Sequence, residues 1–102
     1  MILKADRIIT GDGKTVLENK AVFISDDKIS AIDDLETLKK KFPGHEVKEY
    51  PGASILPGLI DMHVHVYPHR GPGGPTWQAS VIPDAHAFRA GVTTFVDAGS
   101  AM

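Results

Sequence analysis

The stretch Ile55-Leu56-Pro57-Gly58-Leu59-Ile60-Asp61-Met62-His63-Val64-His65 joins a Pro-Gly break to an apolar run carrying two histidines, two residues apart. Pro57-Gly58 ends whatever precedes it, and Leu59 to Val66 then reads as a strand. Side chains alternate across a strand, so Asp61, His63 and His65 share one face. Ile60, Met62, Val64 and Val66 occupy the other, and all four are apolar. In an α/β protein such an apolar face packs under helices, while the opposite face of a barrel strand points inward. One carboxyl and two imidazoles placed there need a partner to offset the cost of burial. A divalent cation would serve. The Cα atoms of His63 and His65 lie about 6.6 Å apart along a strand, so both rings can reach one ion at about 2.0–2.1 Å. Asp61, one pleat further back, is better placed to orient those ligands than to bind. A bare His-x-His is weak evidence, because solvated polar alternation produces it too. Its context is what strengthens it.

That context extends in both directions. Downstream, Tyr67 to Pro75 is a loop rich in glycine and proline, residues 84–90 read as a short helix closed by Gly91, and Val92 to Val96 reads as a strand. Strand, loop, helix, strand is the start of a βαβ series, whose right-handed crossover sets the two strands parallel. Gly71-Pro72-Gly73-Gly74-Pro75 is not a phosphate loop, since no Gly-Lys-Ser/Thr follows and its prolines lack amide donors. It is expected to lie over the site, where His69 and Arg70 could contact substrate but read more simply as solvated side chains, and Trp77 packs as a lid or, more simply, anchors the loop. His86 and His45 receive no role. Asp97, at the end of the second strand, is a candidate substrate-binding residue. A local hydrogen bond shaping Ala98-Gly99 explains it equally well.

Upstream, residues 2–9 form a first strand stopped by the turn cluster Gly11 to Lys14. Ala21 to Ile24 and Ile29 to Ile32 flank Asp26-Asp27 as a hairpin without the usual glycine. Asp33 or Asp34 is expected to cap a short helix, with Glu36 in capping-box spacing from Asp33. Leu35, Leu38 and Phe42 give that helix one apolar face. Pro43-Gly44 ends it, and short strands near 46–50 and 53–56 return to the sheet.

Composition excludes several classes. The 102 residues have 42% hydrophobic and 24% charged content, a net charge of −2 and no cysteine. That is a globular balance with no basic stripe for nucleic acid or an anionic membrane, and no thiolate site. No run approaches the ~18 apolar residues of a membrane span. A cytoplasmic protein is expected.

Ile55 to His65 resembles the signature of the amidohydrolase superfamily: proline-glycine, an apolar pair, aspartate, then His-x-His. Gly91 to Ser100 is similar to that family's second barrel strand, and residues 1–56 to its N-terminal β-sandwich segment. The resemblance implies an α/β fold. Residues 1–56 would be part of a small β-sandwich, and residues 57–102 the first strands of an incomplete (β/α)₈ TIM-type barrel. It also implies that His63 and His65 bind a divalent metal, zinc before manganese, iron or nickel, with one or two ions in the complete enzyme. The general base and the other ligands would lie beyond Met102. Metal-activated water would cleave an amide or other non-peptide C–N bond of a small molecule, in a full-length form that could be a homo-oligomer. Within the superfamily the sequence looks most like the deacetylase or dihydroorotase-like members. Dihydroorotases usually carry an arginine two residues after the second histidine, and Tyr67 stands there instead. The competing reading is a small β-rich binding or assembly module that has lost catalysis.

Overall fold

The computed structural model describes residues 1–66, 70–71, 74–75 and 83–98. The chain divides into two compact units, Met1–Pro57 and Gly58–Met102. The first is a five-stranded sheet with one helix. Its strands are β1 (Ile2–Ile9), β2 (Val16–Glu18), β3 (Ala21–Ser25), β4 (Lys28–Asp33) and β5 (Val47–Ile55), with α1 (Leu35–Lys41) between the last two. Strand β1 is central. It pairs in parallel with β5, and antiparallel with β3 through Ile2–Lys4 and with β2 through Arg7–Ile9.

Alternation within β3 places its residues on opposite faces of this sheet. Ala21 and Phe23 pack with Ile2 and Leu38 as the buried cluster beneath α1. Val22 faces the other way, where it lines an apolar groove with Ile8, Ile29, Ile32 and Ile55. Phe42 closes the first cluster by stacking on Phe23, ring centres 4.0 Å apart. The hairpin joining β3 to β4 turns on Asp26 and Asp27, with φ of 50° and 60°. Positive φ at both central residues marks the two-residue turn that matches strand twist, and aspartate tolerates it better than most residues.

Two expectations for this unit need correction. The capping box does not form. The N-cap residue is Asp34, one past the Asp33 that the box requires, so Glu36 is out of box spacing and pairs with Lys39. Asp34 makes no side-chain cap bond, and its carboxylate accepts from Lys20 Nζ at 2.9 Å. The two short strands near 46–50 and 53–56 are one strand, β5. A register shift opposite Asp6 absorbs Pro51-Gly52, where Gly52 has φ 77° and donates its amide to Asp6 Oδ2 at 3.1 Å. Strand β2 was not anticipated at all.

The second unit contains β6 (Leu59–Val64), the two-residue strands β7 (Arg70–Gly71) and β8 (Gly74–Pro75), α2 (Pro83–His86), a 3₁₀ turn (Phe88–Ala90) and β9 (Val92–Asp97). Strands β6 and β9 are parallel, as the crossover argument expects. Gly91, with φ 73°, ends the 3₁₀ turn and lets the chain enter β9. Gly58 serves a different need. A Cβ at that position would overlap the side chain of Thr93, so the entry to β6 can approach β9 only without one. Among the described residues, no helix is long and apolar enough to cross a membrane.

Candidate functional site

The two histidines leave the ladder differently. His63 lies within β6, whereas the strand ends at Val64, two residues earlier than expected, and His65 lies beyond it. Their rings nevertheless meet at the strand end, with centres 5.2 Å apart and planes at 87°. Two imidazoles on one tetrahedral ion have ring centres about 5 Å apart, given metal–nitrogen bonds of about 2.0–2.1 Å. The observed spacing fits that pair. Among the described residues, no cluster of three histidine, cysteine, aspartate or glutamate side chains forms around them.

The two carboxylates act on the backbone. Asp61 Oδ1 accepts the backbone N–H of His63 at 3.0 Å. Asp61 thus touches the ligand's own peptide group, within the strand on which both sit. Asp97, at the C-terminal end of β9, accepts the backbone N–H of Val66 through Oδ2 at 3.2 Å. The adjoining Ala98 N–H donates to the Val64 carbonyl at 3.0 Å. The Asp97 hydrogen bond reaches back to Val66, just past the end of β6, a longer span than the local Ala98-Gly99 turn considered from sequence. The signal for it is the length of β9, which carries Asp97 level with Val64 in the parallel register.

The apolar face of β6 is covered in part, with Val64 half-buried. Ile60 and Met62 are 61% and 68% exposed. His86 is exposed on α2. His45 lies in the first unit, its ring edge-on to Phe23 with centres 4.9 Å apart. The expectations for Tyr67, His69, Trp77 and the Arg70 side chain fall outside the described residues.

No family model matches the chain. Individual proteins do. It is 34% identical over 103 residues to the enamidase of Eubacterium barkeri, covering 98% of this chain and 25% of that protein. It is 35% identical over 94 residues to a dihydroorotase of Listeria monocytogenes, covering 91% of this chain and 20% of that one. The crystal structure of an enamidase, described there as a member of the amidohydrolase superfamily, superposes with a TM-score of 0.66 at 30% identity, over 97% of this chain and 25% of that one. The chain therefore spans about a quarter or less of the length of these relatives. By sequence and by fold, the chain matches members of the amidohydrolase superfamily over their N-terminal segment.

Proposed function

We propose that the protein carrying this segment hydrolyses an amide or other non-peptide C–N bond of a small molecule, and that His63 and His65 are two ligands of its catalytic divalent metal. The observation that supports this best is the pair of nearly perpendicular imidazoles, 5.2 Å apart, at the C-terminal end of a parallel strand. Functional groups of β/α barrels gather at that end. In this reading β6 and β9 are the first two of eight barrel strands. When bound, the metal supplies Lewis acidity and a water acidified towards neutral pH. Zinc suits imidazole ligands best among the candidates.

The chain's own residues have separable roles. His63 and His65, as neutral imidazoles, offer ring nitrogens. Asp61 fixes the peptide that carries His63. Asp97 stands at the strand end, where a substrate would enter, and contact with substrate is proposed for this carboxylate alongside its hydrogen bond to the Val66 amide. A third protein ligand is generally required for a catalytic zinc, and with the general base it would come from elsewhere in the protein. The relatives above are named as enzymes, an enamidase and a dihydroorotase, which weighs against a non-catalytic module.

The test is metal content of the intact protein by elemental analysis. His63→Ala and His65→Ala should each lose most of the bound metal after dialysis. Unchanged content in both variants would overturn the assignment.

A further inference from the structure

His65 presents a mechanical problem. It lies past the end of β6, so the ladder that aligns His63 does not hold it, yet a metal ligand must keep one orientation. Its backbone is fixed by the two peptide groups on either side of its Cα. The carbonyl of the preceding peptide, Val64 O, accepts from Ala98 N at 3.0 Å. The N–H of the following peptide, Val66 N, donates to Asp97 Oδ2 at 3.2 Å. Both restraints come from adjacent residues at the end of β9. One is backbone and indifferent to sequence. The other depends on a single side chain.

We propose that Asp97 is a positioning residue, whose carboxylate clamps the peptide after His65 and so holds that imidazole in register with His63. This rests on the reading of His63 and His65 as metal ligands. Asp61 performs the matching task for His63 through the preceding peptide. The two histidines are thus each held by an aspartate acting on backbone N–H groups. An acceptor oxygen is what the clamp requires, so an amide side chain should replace the carboxylate. A methyl group should not.

The experiment is titration of the metal-free intact protein with Co²⁺, followed by the visible spectrum of the bound ion, in wild type, Asp97→Asn, Asp97→Ala, His63→Ala and His65→Ala. Thermal melting of each metal-free form runs alongside. Removing a group that orients a metal ligand typically lowers affinity on the order of 10-fold or more. Asp97→Ala should therefore bind Co²⁺ about 10-fold more weakly with an altered spectrum, whereas Asp97→Asn should stay close to wild type in both. If Asp97→Ala does not fold, Asp97→Leu, similar in size but without an acceptor, takes its place. Wild-type affinity and spectrum in the variant lacking the acceptor would overturn the proposal, as would Asn binding as weakly as Ala. A different failure belongs to the underlying reading: if His63→Ala and His65→Ala both bind Co²⁺ like wild type, the metal assignment falls, and the clamp with it.

Discussion

The two units of this chain are stabilised in different ways. In Met1–Pro57, a helix lies on a five-stranded sheet, and Ile2, Ala21, Phe23 and Leu38 are removed from solvent as one cluster. In Gly58–Met102, Ala87 is the one buried apolar side chain among the described residues, and Ile60 and Met62 of β6 are exposed. The first unit has a hydrophobic core, which scales with buried area. Among its described residues, the second shows ladder bonds and carboxylate-to-backbone contacts, which fix geometry while contributing modest net stability. Rigid packing and candidate chemistry are therefore separated along the sequence.

The comparison can be broken most forcefully at Leu38. Truncating this fully buried side chain should cost about 2–5 kcal/mol. Hydrogen exchange should then accelerate across β1 and β3 while the β6 and β9 amides keep their rates. Equal acceleration in both units would show that they unfold as one. A second, smaller effect probes the other unit. Gly58→Ala should cost about 1–3 kcal/mol, because the new Cβ meets Thr93. A double-mutant cycle with Thr93→Gly, measured by urea unfolding, should show favourable coupling. Additive losses would mean that the glycine serves some other need.

Relief of strain should sharpen the contrast in the opposite direction. Asp27 has φ 60° in the β3–β4 turn, and Asp27→Gly should raise stability by up to about 1 kcal/mol, seen as a higher urea midpoint with unchanged slope. The smallest effect concerns pH. Hydrogen bonds from the Thr15 hydroxyl, the Thr15 amide and the Lys14 amide hold the Asp12 carboxyl well below the usual carboxylate range. A depressed folded value means stability that is present above the unfolded pKa of about 4 and lost as pH falls through the folded one. The difference in melting temperature between wild type and Asp12→Ala should therefore shrink below pH 4. Because Asp12 is exposed, the change should be slight.

What was legible in the sequence depended on short-range spacing. The parallel pairing of β6 and β9 follows from a strand, a short helix and a strand in succession. The closeness of the two histidine rings was legible in their two-residue spacing, although only His63 lies within β6. The hairpin at Asp26-Asp27 was legible without glycine because the flanking apolar runs match in length. What was not legible depended on partners distant in sequence. Nothing local says that Asp34 will turn to Lys20 rather than cap α1. Nor does anything local say that β5 will run on through Pro51-Gly52 because Asp6 takes the freed amide. The end of β6 at Val64 and the bond from Val66 to Asp97 are the same kind of fact, set by residues 31 positions apart.

The central place of β1 also has a consequence for how the chain is made. Its pairing with β2 and β3 needs only neighbouring residues, but its other edge waits for Val47–Ile55. At about 5–20 residues per second, those residues emerge roughly 2–9 s after β1 itself. During that interval the first strand offers an open edge to any other extended chain. Where several ribosomes translate one message, the nearest such chain is the nascent copy on the next ribosome.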